Sequence, residues 1–460
     1  MTSRPLLLPL AFAGLVASTA YAASIRPNIV VLMADDMGYG DLSSYGSLSI
    51  ETPAIDSLAA DGVRFTHFYV NAPECTPSRA AFLTGRYQQR VGGLECAIGV
   101  GNVGRYDEAQ WLRGRNELGL PQDEPTLASL LKSSGYATGI FGKWHLGYGA
   151  EFGPKAHGFD ESFITLGGSM DYIAHVEPDG NSVLRHNDQP IHVDGYITDV
   201  FADKAIEWLN HQTEPYFLFV PFTAPHDPFQ APDDGPVKKD WNQGKPETYR
   251  KMVERLDRRI GDILAAIARR PDADNTIVIF FSDNGAPNLL GSNGRLRGWK
   301  GQMWEGGIRV PCIVRWPRQL PAGHTTDQVS AAFDLTASLL SAAGATEQAG
   351  HPLDGSVLWN VWRGDRPDFN RTLFFRYKRL ENRRWAVLEG AEKFVIDDGE
   401  TWLIDLNSDP REKINLAPTR PERVAHFKQL IADWEKNVIA PRLRDFRADE
   451  IPAQVRRSQE

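Results

Sequence analysis

Residues 28–36, NIVVLMADD, and residues 276–285, TIVIFFSDNG, read alike: each is an unbroken apolar, β-branched run that stops on polar residues. Runs of this kind, with no polar alternation, suit strands buried on both faces of a parallel sheet. Similar runs recur at 63–70, 137–142, 216–222 and 310–316, with helical patterns between them. This alternation predicts an α/β fold with helices on both faces of the sheet. Ligands of such sheets collect outside the carboxyl ends of the strands. Asp35 and Asp36 stand at one strand end, and Asp283 and Asn284 at another. Oxygen donors with no sulfur or imidazole beside them in sequence suit a hard cation, Ca²⁺ above Mg²⁺ and either above zinc. Taken alone, each pair also suits the capping of a turn after a strand.

Thr52-Pro53, followed by Ile55, Leu58, Ala59 and a stop at Gly62, reads as a capped helix with proline at its first position. Met252, Val253, Leu256, Ile260, Ile263, Leu264 and Ile267 give a longer amphipathic helix ending near Pro271, and residues 334–343 give another. After about Leu358 shorter runs at 385–388, 393–396 and 401–405 are spaced to pair as a meander, with a final helix at 421–438. The expected organisation is a large domain over 24–358, a small α+β domain over 359–444 and a charged, mobile tail over 445–460.

Residues 1–22 combine Arg4, an apolar run over 6–17 and the small-residue sequence Ala20-Tyr21-Ala22, the pattern of a cleaved export signal. The run is shorter than the ~20 residues of a membrane span. Export to the periplasm or the medium, with no membrane attachment after cleavage, is therefore expected. The net charge of −9 excludes a basic nucleic-acid footprint. It also repels anions, so a site for an anionic substrate needs local cations. Three cysteines, Cys75, Cys96 and Cys312, are few for an exported chain. Either Cys75 pairs with Cys96, or Cys75 does not persist as a thiol.

Residues 74–86, ECTPSRAAFLTGR, place Cys75 just before a helix that Pro77 and Ser78 suit as a start, where free N–H groups and the positive dipole end favour an anion. Arg79 adds a cation about one turn in. This segment resembles the signature of the formylglycine-dependent (type I) sulfatase family, on its arylsulfatase and N-acetylgalactosamine-6-sulfatase side. Residues 135–147, GYATGIFGKWHLG, resemble the family's second signature, and strand alternation sets Lys143 and His145 on one side. Residues 223–226, TAPH, resemble the family's strand-end histidine; Lys300-Gly301 with 305–311, EGGIRVP, resembles the active-site lysine and its loop; residues 406–416, LNSDPREKINL, resemble the closing motif of the small domain.

The resemblance implies an alkaline-phosphatase-like, mostly parallel mixed sheet between helices, and hydrolysis of sulfate monoesters. It implies that a maturation enzyme converts Cys75 to 3-oxoalanine (formylglycine). One hydroxyl of the aldehyde hydrate then attacks sulfur, and loss of the other proton expels sulfate. By the same resemblance Asp35, Asp36, Asp283 and Asn284, with residue 75, hold Ca²⁺. Arg79 orients the hydrate, Lys143 and Lys300 bind sulfuryl oxygens, His145 is the base, and His226 with Lys300 protonates the leaving oxygen. Rim loops over 92–120 and 167–175 are expected to set specificity, with Asp171, Tyr172 and His175 as sugar contacts or as loop-folding residues. A sulfated carbohydrate ranks above a small aryl sulfate as substrate. The rivals are a phosphate or phosphonate monoester hydrolase with the same machinery, and an unmodified, inactive carbohydrate-binding homologue.

Overall fold

A computed structural model describes residues 26–450 apart from 214, 238–240, 242 and 289. The expected export signal and the last ten residues of the expected tail lie outside the described residues. The strand Asn28–Ala34 is wholly buried and lies parallel between Thr276–Ser282 and Tyr216–Pro221. Its register pairs Asn28 with Thr276 and Ala34 with Ser282. Asp35 and Asp283 therefore leave the sheet side by side, and the Asp283 N–H donates to Ala34 O at 3.1 Å.

Among the described residues the main sheet has ten strands, in the order His324–Thr326, Val63–Phe65, Cys312–Arg315, Thr276–Ser282, Asn28–Ala34, Tyr216–Pro221, Ala137–Lys143, Glu161–Thr165, Leu184–His186 and Gln189–Pro190. The five strands from Thr276–Ser282 through Glu161–Thr165 are mutually parallel. Cys312–Arg315 runs antiparallel to both its neighbours, and Leu184–His186 reverses the other edge. The run at 63–70 is two strands, Val63–Phe65 and Phe68–Tyr69, and the second pairs in a separate sheet with Ser330–Ala331.

Helices cover the sheet. Pro246–Ala268 buries Met252, Val253, Leu256, Ile260, Ile263 and Ile267. Pro53–Ala60 starts on proline, but Thr52 does not cap it: the Thr52 hydroxyl binds Ser43 and Asp56. Instead, Asp257 of the long helix accepts from the Ala54 and Ile55 N–H groups at 3.1 and 2.8 Å, satisfying two orphan donors across a helix pair.

Past residue 358 an antiparallel sheet runs Thr372–Arg379, Asn382–Glu389, Glu392–Asp397, Glu400–Asp405, followed by the helix Pro421–Asn437. Phe427 of that helix stacks on Phe394 with centroids 5.4 Å apart. The first of these strands was not among the sequence expectations; Leu373, Phe375 and Tyr377 alternate inward there, but Arg376 and Lys378 mask the apolar run. Of the expected tail, Phe446 packs edge-on against Trp111. The three cysteines are free and buried, so the alternative of a Cys75–Cys96 bridge is not realised. Among the described residues no helix is long and apolar enough to cross a membrane.

Candidate active site

Cys75 opens the helix Cys75–Thr84, so the helix begins earlier than expected, on Cys75 and not just after it, with Glu74 as the N-cap residue. All ten helix residues are buried. So dry a helix needs internal partners for its polar side chains: Thr76 donates to His145 O at 2.9 Å and Ser78 to Ala72 O at 2.8 Å. Arg79, one turn in, directs Nε and NH2 at Asp283 Oδ2 (2.9 and 2.8 Å) and NH1 at Lys143 O (2.8 Å). That fork ties the Cys75 helix to two strand ends.

Asp36 has φ 68, so the chain turns off its strand immediately after Asp35 and both carboxylates meet the same spot. Cys75 Sγ lies 3.6 Å from Asp35 Oδ1, and Lys143 Nζ lies 2.6 Å from Asp35 Oδ2. Lys300 Nζ is 2.8 Å from Asp36, Asn284 Nδ2 donates to Asp36 Oδ1 at 2.7 Å, and His226 Nε2 stands 3.6 Å from Asp36 Oδ2. Potential donor atoms of Asp35, Asp36, Cys75 and His226 all fall within 4.8 Å of one another. Asn284 Oδ1 is buried beside them without a partner.

Burial works against the charged form of every group here, and the neighbours decide the outcome. For Asp35, Lys143, His226, Arg79 and Lys300 together outweigh burial and hold the carboxyl well below its usual range. Lys143 and Lys300 are pushed up, because burial is outweighed by Asp35 for the first and by Asp36 for the second. Burial pushes the Cys75 thiol up, more than the two lysines offset. It is a poor source of thiolate, despite its helix N-terminus.

His145 sits beyond its strand in a left-handed turn, φ 57, so this turn and not strand alternation aims it. Its Nε2–H donates to Ile98 O at 2.8 Å, which leaves Nδ1 buried and unpartnered. Burial and then Lys143 hold the ring well below the usual imidazole range, which favours its neutral form.

A cavity of about 360 Å³ opens over this cluster, lined by Cys75, His145, His226 and Lys300 with Glu74, Ala97, Ile98, Arg105, Ser169, Trp241 and Arg379 among its walls. Both expected rim loops reach it, through 97–105 and 168–169. Asp171, Tyr172 and His175 do not line it. Asp171 accepts from the backbone of Ile173, Ala174 and Val237; Tyr172 donates to Thr223 O and His226 O; His175 Nε2 meets Gly195 O. Tyr172 braces the backbone at His226, and the bonds of all three are those of loop-folding residues, the second of the two expected roles. The wall residues that the sequence reading missed are Arg105, Trp241 and Arg379; Arg379 arrives from the C-terminal sheet and pairs with Glu74 at 3.0 Å. No local motif marks an arginine more than 300 residues away from Cys75.

A strand-end acid cluster walled by fixed cations and a buried side chain at a helix N-terminus defines a site for an anionic ester. The sulfatase family model matches residues 27–345, and the model described as N-sulphoglucosamine sulphohydrolase, C-terminal, matches 297–437. The chain belongs to the sulfatase family, and it is an enzyme that hydrolyses sulfate esters. It is 36% identical to N-acetylgalactosamine-6-sulfatase of Canis lupus familiaris, over 79% of this chain and 71% of that one. It is 30% identical to arylsulfatase J of Mus musculus, over 92% of this chain and 78% of the relative. The solved structure of Ps i-CgsB in complex with k-i-k-neocarrahexaose superposes with TM-score 0.79 at 28% identity, covering 89% of this chain and 93% of that one.

Proposed function

We propose that the enzyme removes sulfate from a carbohydrate sulfate monoester, with Cys75 converted to formylglycine and Ca²⁺ held by Asp35, Asp36, Asp283, Asn284 and residue 75. The donor set supports the cation. Asp35, Asp36 and Asp283 are matched one for one by Arg79, Lys143 and Lys300, so an anionic ester needs additional positive charge, and Asn284 Oδ1 is an oxygen donor without a partner. When bound, the ion lowers the pKa of a hydroxyl at residue 75 and polarises a sulfuryl oxygen, and the aldehyde hydrate supplies a nucleophile that can later release sulfate.

The chain's own groups do the rest. Arg79 fixes the helix turn that carries residue 75 and holds Asp283 in place. Lys143 and Lys300 offer Nζ donors to sulfuryl oxygens. His145 Nδ1 takes a proton from the residue-75 hydroxyl. As the imidazolium, His226 donates its Nδ1–H to Asp227 O at 2.6 Å and gives its second proton, from Nε2 on the Asp36 and Lys300 side, to the departing oxygen, returning to the neutral ring. A cavity near 360 Å³ is the size of a small-ligand site, consistent with one sugar ring and its ester. The relatives named N-acetylgalactosamine-6-sulfatase and the neighbour solved with k-i-k-neocarrahexaose support a carbohydrate sulfate. The leader-like residues 1–22 support export, followed or preceded by conversion of Cys75 by a maturation enzyme in the host.

The observation that carries the reading is Cys75 at a buried helix start among fixed cations, in a setting that suppresses its thiolate. Intact mass of the peptide containing residue 75, from purified active protein, is expected to show the aldehyde. Nitrophenyl sulfate is expected to turn over faster than nitrophenyl phosphate. Cys75→Ser is expected to stop after at most one turnover and retain a sulfated serine. Sulfate hydrolysis by protein that still bears its sulfur at position 75 would refute the mechanism, and faster phosphate cleavage would move the chain to the phosphate or phosphonate class.

A further inference from the structure

A second cavity, larger than the first at about 630 Å³, is lined by Gly294, Arg295, Arg297, Trp402, Arg411, Glu412 and Lys413. It shares no lining residue with the catalytic cavity. Four of the seven residues are cations, in a chain whose net charge is −9. The one acid of the lining is not free to neutralise them: Glu412 is buried, and its carboxylate accepts from Lys393 Nζ at 2.9 Å and from the Glu305 N–H at 2.8 Å. Arg297 is fixed. Its guanidinium lies 3.5 Å from the Trp304 ring centroid and 4.3 Å from that of Trp402, and NH1 donates to Glu412 O at 2.6 Å. Stacking pre-orders the planar fork, so little side-chain entropy is lost when it meets an anion. Arg295, Arg411 and Lys413 are exposed, and among the described residues none has a carboxylate partner.

The geometry points to an accessory binding groove for a sulfated polysaccharide, holding sulfate groups remote from the one cleaved. Guanidinium forks match sulfate oxygens bidentately, and the partly exposed Trp402 adds an apolar edge beside them. A cavity of this size spans more than a single ester, and one local patch on an acidic protein is too small for the footprint of a nucleic-acid binder. The choice of a sulfated chain as occupant rests on the substrate class proposed above, but binding needs no turnover, so the two can fail separately.

The test compares full-length wild type with the triple variant Arg295→Ser, Arg411→Ser, Lys413→Ser, each side chain being exposed. Binding to chondroitin 6-sulfate polymer, to unsulfated chondroitin and to a single-stranded oligodeoxynucleotide is measured against salt, with thermal melting to check the fold. Wild type is expected to prefer the sulfated polymer. In the triple variant its Kd is expected to rise about tenfold or more, and the slope of log Kd against log salt to fall by about 2 to 3, one counterion or slightly less for each lost cation. Equal affinity of variant and wild type for chondroitin 6-sulfate would overturn the proposal. So would oligonucleotide binding as tight as that of the sulfated polymer, which would assign the groove to phosphate chains.

Discussion

Two buried charge clusters stand on either side of the segment 297–309. At Lys300 it enters the catalytic cluster; at Glu305 it enters a second one with Lys393 and Glu412. Both are dry, yet they are finished differently. In the second cluster every carboxylate oxygen has a donor: Lys393 Nζ reaches Glu305 Oε1 and Glu412 Oε1 at 2.8 and 2.9 Å, Tyr69 donates to Glu305 Oε2 at 2.8 Å, and the Glu305 N–H donates to Glu412 Oε2 at 2.8 Å. In the catalytic cluster Asn284 Oδ1 and His145 Nδ1 are left over, and His145, with Cys75, His226 and Lys300, lines a cavity. Satisfied polar atoms around a closed space mark a joint, and unsatisfied ones facing an open space mark a place for a ligand.

The sharpest way to break the contrast is Lys393→Ala. It strands two facing carboxylates in a closed site, and losing one partner of a buried ion pair typically costs about 3–5 kcal/mol. The urea midpoint is expected to fall accordingly, while the surviving folded enzyme still turns over nitrophenyl sulfate. A loss under about 1 kcal/mol would mean that this cluster is as incomplete as the catalytic one. Lys300→Ala tests the other side and should be felt as rate: removal of one preorganised donor costs roughly 10²- to 10³-fold in kcat/KM. An unchanged rate would place Lys300 with Lys393, as a fastening.

The sequence was most legible where a single strand carries both structure and chemistry. The runs at 28–34 and 276–282 matched their strands residue for residue, because full burial on both faces leaves only apolar residues and the acids that follow mark the rim. Cys75, Lys143 and His145 lie at or just past a helix or strand end, Arg79 lies one turn into its helix, and His226 and Lys300 reach the same spot from loops. What the sequence hid depends on long-range pairing. Arg379 enters the cavity wall only because the C-terminal sheet docks beside Glu74. Asp257, not Thr52, serves the helix Pro53–Ala60 because two helices happen to cross there. Asp171 and Tyr172 read equally as sugar contacts or loop-folding residues because polar residues in a rim loop look alike whether they face a sugar or their own backbone.

Glu412 gives the smallest and most specific test. Burial, with Glu305 next to it, overrides Lys393 and pushes its carboxyl up to about 7, whereas for Glu305 Lys393 and Arg309 overcome burial and lower it to about 2. A carboxyl raised on folding binds more protons in the native than in the unfolded state between about pH 4.5 and 7, so its stabilisation is complete below that window and fades as pH rises through it. Glu305 acts in the opposite sense, its contribution fading as pH falls from about 4.5 towards 2. The joint is therefore strongest near pH 4.5. Other acids with raised carboxyls, such as Asp41 and Asp257 at about 6, titrate in the same upper window. The informative quantity is accordingly the difference between wild type and Glu412→Gln, which cannot take up that proton. From pH 5 to 7 the wild type is expected to lose stability more steeply than the variant, by at most about 1.4 kcal/mol per pH unit. Parallel urea-midpoint curves would show Glu412 ionised throughout, with its negative charge and that of Glu305 both held against Lys393 and Arg309.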